Sequence, residues 1–305
     1  MKALVTGGAG FIGSHVVDLL IKEGHEVIVI DNLSSGSKNN LNEKAKFYQI
    51  DLSNYNLIRQ IFEREKPDYV FHLAAQIDVR KSLEDPVFDA QQNIINAIHL
   101  LELSSKNKIK HFIFSSSGGA IYGDSELPTK EGTIEKPISP YGVAKLTIEK
   151  YLHYYNIVHG LHYTILRYSN VYGPRQNSKG EAGVVALFFD KMLKGNNPII
   201  FGGPQTRDFI FVEDVAKANL LALKDEKNDF YNVATSAQIS ITDLFNKINS
   251  LFGNKFVPTI REIRKGEQLT SCLSINKIKS SLDWTPAVSL DEGLKKTLDW
   301  YKNPK

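Results

Sequence analysis

Thr6-Gly7-Gly8-Ala9-Gly10-Phe11-Ile12-Gly13 is the stretch on which the reading of this chain turns. The apolar run Ala3-Leu4-Val5 before it reads as a buried strand, and Ser14 to Lys22 after it carries apolar residues at helical spacing. Strand, glycine turn and helix in this order make a seat for a pyrophosphate. Gly7, Gly10 and Gly13 allow a tight turn, close approach of the backbone to the ligand, and close packing of helix on strand, while the helix N-terminus attracts negative charge. A second apolar run, Val27 to Ile30, ends in Asp31, near the roughly 20-residue offset at which an acid hydrogen-bonds a ribose 2′-hydroxyl. The expected ligand is a dinucleotide.

The 305 residues are 42% hydrophobic, enough for one large or two modest domains with a filled core. No apolar run approaches the roughly 20 residues that span a bilayer, and the first residues enter a strand without a basic segment and cleavage site, so neither membrane insertion nor export is expected. Cys272 is the only cysteine, which excludes an intramolecular disulfide and suits the cytoplasm. The formal charge of +3 is small, and basic residues are interspersed with acids, so nucleic acid is not an expected partner.

Beyond Asp31, Asn32 to Asn42 reads as a loop near the adenosine. Phe47 to Ile50 is a third strand ending in Asp51 and Leu52; Asp51 contacts the adenine or caps the next helix. Val70 to Leu73 is a fourth strand, running into Ala74-Ala75, whose small side chains let a cofactor lie close. A long helix is expected from about Val87 to Ser104 and a fifth strand over Phe112 to Phe114, an alternation that predicts a doubly wound parallel sheet with helices on both faces. The serines Ser115, Ser116 and Ser117 follow that strand, where they either bond a ligand in the crevice or satisfy loop backbone. Ser139-Pro140 then opens a helix in which Tyr141 and Lys145 lie one turn apart on one face. An ammonium near a phenol favours phenolate, making Tyr141 a candidate general base.

With these elements in this order, the chain resembles the extended short-chain dehydrogenase/reductase family from Thr6 to about Trp300, and within it the nucleotide-sugar epimerases of the UDP-glucose 4-epimerase type. The matching segments are His72-Leu73-Ala74-Ala75, Ser139-Pro140-Tyr141, Arg167 to Arg175, Phe201-Gly202, Arg207-Asp208 and Arg264-Lys265-Gly266-Glu267. The resemblance implies a Rossmann-like α/β fold with a smaller C-terminal α/β substrate domain, divided as 1–173 plus 204–235 for NAD and 174–203 plus 236–305 for the nucleotide sugar. Implied around NAD are Gly7, Gly10, Phe11, Ile12, Gly13, Asp31, Asn32, Asp51, Leu52, Leu73, Ala74, Ala75, Asn93, Ser115, Tyr141, Lys145 and Tyr168. Implied around a UDP-sugar are Ser117, Tyr141, Asn170, Val184, Phe201, Arg207, Arg264, Glu267 and Ser271, with Asn170, Arg207 and Arg264 on the diphosphate and Glu267 on the uridine ribose. Arginine suits a diphosphate because its planar fork meets phosphate oxygens in pairs. No metal is implied. A homodimer is expected through the helices after Val87 and Tyr141; Ile148, Tyr151, Leu152 and Tyr155 serve that interface or the protomer's own core.

The activity implied is inversion at C4 of a UDP-hexose through a 4-keto intermediate, with Tyr141 moving the proton and Ser117 relaying it. Ser117 lies five residues before Tyr122, where many relatives have the catalytic Ser or Thr four before; the Gly118-Gly119 pair is expected to bulge, with Ser116 as the fallback. Ile77 stands where some relatives carry a lysine near the sugar. A 4,6-dehydratase is disfavoured, because Gly118-Gly119 replaces its Asp-Glu pair. UDP-glucuronate epimerase or decarboxylase activity stays open, as does an inactive NAD-sensing protein, against which the intact Tyr141 and Lys145 speak. The small Ser271, four residues beyond Glu267, leaves room beside C2 of the sugar for an acetamido group.

Overall fold

Strands with consecutive apolar residues need cover on both faces. In the computed structural model, which describes residues 1–178, 183–263 and 268–303, six such strands, β1 (Lys2–Thr6), β2 (Glu26–Asp31), β3 (Lys46–Gln49), β4 (Tyr69–His72), β5 (His111–Ser117) and β6 (Tyr163–Tyr168), join Asp229–Val233 in one parallel sheet. Its order is β3-β2-β1-β4-β5-β6 followed by Asp229–Val233. Alternate residues enter opposite cores. Ala3, Val5, Val27 and Val29 pack with Val16, Val17 and Val215 on one side, while Leu4, Ile28 and Ile30 pack with Ile61, Leu101 and Ile148 on the other. The order in which strands are added reverses between β1 and β4, with all strands parallel, which opens a crevice at their carboxyl ends.

The smaller lobe has its own core, built from Phe188, Phe189, Ile200, Leu244, Ile248 and Leu294. Two short pairings lie outside the main sheet: Asn170–Tyr172 runs parallel to Phe209–Phe211, and Thr206–Arg207 antiparallel to Ile239–Ser240. Ile278 and Trp284, beyond the expected boundary at 236, belong to the same core as Val215 and Val233: the helix Asn276–Leu282 packs on Asp229–Val233, and Trp284 Nε1 donates to the Asp214 carbonyl at 3.1 Å. The strand Phe209–Phe211 begins just after Asp208, which itself stands between two strands. Its fully buried carboxylate accepts from Thr235 N and Oγ1, at 2.9 and 2.7 Å, and from Ser236 N at 3.1 Å. The helix expected from Val87 is Pro86–Ala90, a π-helical turn at Gln91–Ile95, and Asn96–Lys106. Strand β5 runs further than expected and carries all three serines.

Candidate active site

The glycine turn is held by contacts that leave no space for side chains. Gly7 has φ of +72°, and a Cβ there would come within 2.7 Å of Ala74 N; one on Gly13 would lie 2.1 Å from the Gly7 carbonyl oxygen. The helix Phe11–Lys22 begins at Gly10 with no side-chain cap, so the first-turn amides of Phe11 and Ile12 are donors for an anion. Asp31, buried at the end of β2, accepts from Ala9 N at 3.0 Å and Leu33 N at 2.8 Å, which fixes its carboxylate beside this turn. A glycine cradle, an uncapped helix start and a fixed acid fit a dinucleotide with a free ribose 2′-hydroxyl.

Asp51 accepts from Ser53 N at 2.9 Å and from Asn32 Nδ2 at 2.6 Å, while the next helix is capped by Asn54, so the helix-cap reading of Asp51 falls. Burial works to raise its pKa, but the Ser53 and Asn32 hydrogen bonds hold it below the ordinary carboxylate value. Leu52 lies beside it, half-buried, and Leu73, Ala74 and Ala75 run from β4 under the glycine turn. Asn93 is buried and turns its amide onto the protein, accepting from Gln76 N at 2.8 Å and donating to Gln76 O and Asp89 Oδ1, each at 2.9 Å.

Ser139 caps the helix Pro140–His159 by accepting from Gly142 N at 3.1 Å, with Pro140 in its first turn. Gly142 lets that helix press on the turn after β5, since a Cβ would lie 2.4 Å from the Ala120 carbonyl oxygen. This contact brings Tyr141 to the end of β5, where Ser117 acts on its phenol and favours the ionised form. The period of two in β5 sorts the serines. Ser115 Oγ meets Tyr168 OH at 3.1 Å and Ser117 faces Tyr141, whereas Ser116 turns to the opposite face and donates to Glu149 at 2.6 Å. The expected bulge at Gly118-Gly119 is absent: a helical turn, Gly118–Ile121, starts directly after Ser117. Gly118 is needed because a Cβ there would lie 2.4 Å from Leu273 Cδ1.

Lys145 is buried, donates to the Ser115 carbonyl at 2.7 Å and lies 5.8 Å from the Tyr141 ring centroid. Burial pulls its pKa down to about 8, against the nearby negative charges of Asp89 and Glu149. The expectation that Lys145 draws Tyr141 toward phenolate is corrected here. Burial first, and the Asp89 charge second, push the phenol well above its ordinary value, with only the Ser117 bond opposing them.

Sequence reasoning missed the buried support behind this pair. Arg167, 1% exposed, donates through Nε to Glu149 at 3.0 Å, through Nη2 to Glu149 and Glu135, and through Nη1 to Tyr122 OH at 2.7 Å. Tyr122 passes the connection to Asn232 Oδ1 at 2.9 Å. An arginine inside an apolar strand was the signal available.

On the substrate side, Asn170 Nδ2 donates to the Asp208 carbonyl at 3.2 Å and Arg207 Nη1 to the Thr206 carbonyl at 2.9 Å. Ser271 is buried, its N–H bonded to Thr206 O at 3.2 Å, while Val184 opens the helix Val184–Leu193 and Phe201 closes the strand Ile199–Phe201. A pocket of about 550 Å³ lies beside them, lined by Gly202, Gln205, Ile260, Ile263 and Leu269. Ile77, in place of the relatives' lysine, is exposed. Arg264 and Glu267 lie outside the described residues.

A doubly wound sheet with a glycine cradle, a fixed acid on β2 and a Ser117-Tyr141-Lys145 group at the end of β5 defines a dinucleotide-dependent enzyme of alcohol–ketone chemistry. Residues 3–234 match the family model "NAD dependent epimerase/dehydratase family", and the chain belongs to that family. It is 38% identical over 311 residues to a UDP-glucose 4-epimerase of Mycolicibacterium smegmatis, with 99% of each chain covered. The structure of UDP-glucose 4-epimerase with UDP-glucose from Thermotoga maritima superposes with a TM-score of 0.97 at 49% identity, covering 99% of both chains. A UDP-N-acetylglucosamine 4-epimerase from Methanobrevibacter ruminantium in complex with UDP-N-acetylmuramic acid superposes with a TM-score of 0.94 at 37% identity, covering 100% of this chain and 99% of that one.

Proposed function

We propose that this chain inverts C4 of UDP-hexoses, interconverting UDP-glucose with UDP-galactose and their N-acetyl forms, with NAD as its cofactor. The observation that carries this reading is the convergence of Ser117, Tyr141 and Lys145 on one spot at the mouth of the crevice, beside the glycine cradle. When bound, NAD supplies the two-electron acceptor and donor for C4 and the positive charge of its oxidised ring. Tyr141 removes the proton of the 4-hydroxyl and later returns it, and Ser117, beside the phenol, holds the same hydroxyl. Lys145, anchored on the Ser115 carbonyl, keeps a positive charge near that proton. The sugar, as its 4-ketone, turns about its bonds to the diphosphate and presents its other face. Asn170, Arg207 and Arg264 hold the diphosphate throughout, so tight anchoring and a roomy sugar pocket work together.

Asp31 selects NAD over NADP because a fixed carboxylate accepts from a 2′-hydroxyl and repels a 2′-phosphate. The enzyme works in the cytoplasm as a homodimer, formed by the exposed Val143, Tyr154, Ile157 and Val158 of the helix Pro140–His159. Among the described residues no helix is long and apolar enough to cross a membrane. Incubating the purified protein with UDP-glucose, UDP-galactose, their N-acetyl forms and UDP-glucuronate, separating epimers and identifying the nucleotide released on denaturation test the reading. C4 epimers of the first four and released NAD are expected; turnover of UDP-glucuronate alone, or release of NADP, overturns it.

A further inference from the structure

Asp89 sits in the short helix Pro86–Ala90, packed on the catalytic helix, and is 1% exposed. Its Oδ1 accepts from Gln76 Nε2 and from Asn93 Nδ2, each at 2.9 Å. Gln76 is gripped further: its N–H donates to Asn93 Oδ1 at 2.8 Å, and its side chain bonds both N–H and C=O of Asp78, at 2.6 and 2.9 Å. The segment after β4 is therefore tied to a carboxylate, and the π-helical turn Gln91–Ile95 places Asn93 where it completes the tie.

A buried carboxylate is costly unless a charge balances it. Two neutral amides bond Asp89 but do not balance it. Burial raises the Asp89 pKa; the Gln76 and Asn93 hydrogen bonds and then the Lys145 charge oppose it, and the Asp89 charge acts in turn on both Lys145 and Tyr141. The other ionisable groups around this set are Glu149, which acts on Lys145 from one turn further along its helix, and His72 on β4. His72 is kept neutral, its pKa pushed down to about 3 by burial and then by Lys145. Lys81, from the preceding helix, lies over the Phe88 ring, 4.2 Å from its centroid.

Resting on the epimerase reading, we propose that Asp89 is a positioning residue for the reaction: it ties the segment after β4 to the short helix that packs on Pro140–His159, and it places a negative charge beside Tyr141 and Lys145. A negative charge beside both groups makes each hold its proton more tightly, so removing it shifts both titrations toward acid.

Asp89→Asn separates the two roles, because the amide oxygen still accepts from Gln76 and Asn93 while the charge is gone. Both limbs of the kcat/KM pH profile are expected to move to lower pH by about 1 unit, with NAD content unchanged. A second reading needs no substrate. The tyrosinate absorbance difference between Asp89→Asn and its Tyr141→Phe double variant should titrate at lower pH than the difference between wild type and Tyr141→Phe. A merely structural role would lower rates at every pH and move neither curve, and two unmoved curves overturn the proposal. Should Asp89→Asn fail to fold, Asp89→Ser is read by the same two curves. If wild type epimerises none of the UDP-hexoses, the function fails while the absorbance titration still decides the role of Asp89.

Discussion

Burial and the Asp89 charge make the Tyr141 phenol hold its proton more tightly than an ordinary tyrosine; in the proposed reaction the positive charge of bound oxidised NAD would add to that of Lys145 in drawing the proton off. Tyr141→Phe keeps the ring and its packing but removes the group that moves the proton. Turnover should fall about 100 to 10,000-fold while calorimetric binding of UDP-glucose changes little; a rate within a few-fold of wild type would mean that another group moves the proton. Ser271 tests substrate breadth. Wild type should epimerise both plain and N-acetylated pairs, and Ser271→Tyr should suppress the N-acetylated pair selectively by steric exclusion. Because Ser271 is buried, the larger ring also strains its surroundings, so the plain pair serves as the internal control. Equal loss on both pairs places Ser271 away from C2.

The helix Pro140–His159 is the element that turns chain connectivity into chemistry. Gly142 lets it approach the turn after β5, Lys145 ties it to the Ser115 carbonyl and Glu149 ties it to Ser116 and Arg167, so β5 and the helix are braced at successive turns. Glu149→Gln leaves Arg167 buried with only Glu135 as a charged partner. Breaking a buried pair from one side costs roughly 3 kcal/mol or more, whereas Glu102→Gln, which removes an exposed pair with Lys106, should cost under about 1 kcal/mol. Urea unfolding of the two variants measures the contrast.

At the scale of the molecule, His72 and His111 are buried on the sheet, hydrogen-bonded to Thr6 Oγ1 and Thr164 Oγ1, each at 2.8 Å. Burial pushes their pKa values down from 6.5 to about 3 and about 4 respectively. Folded values below the unfolded one mean that the unfolded chain binds the protons first as pH falls. Stability should therefore be fully present above pH 6.5 and decline between there and pH 4, by at most about 1.4 kcal/mol per unit for each histidine. Denaturation midpoints measured at pH 7 and pH 5 test this; replacing both histidines should flatten the slope.

What the sequence by itself determined is local. The glycine turn, the acid closing β2, the Tyr141–Lys145 spacing and the alternation of strands with helices are all patterns within a few turns or one strand–helix unit, where backbone geometry dictates residue type. Tertiary structure decided the rest. Ser116 lies on the face of β5 that the helix Pro140–His159 covers and is taken by Glu149, which leaves Ser117, at the strand's end, to Tyr141. Gly118 is small because Leu273, from far along the chain, lies against it. Asp89 comes near Tyr141 and Lys145 only because its helix packs on Pro140–His159, and Asp208, between two strands, gathers Thr235 and Ser236. Buried charges and close contacts of this kind depend on partners distant in sequence, and no local period encodes them.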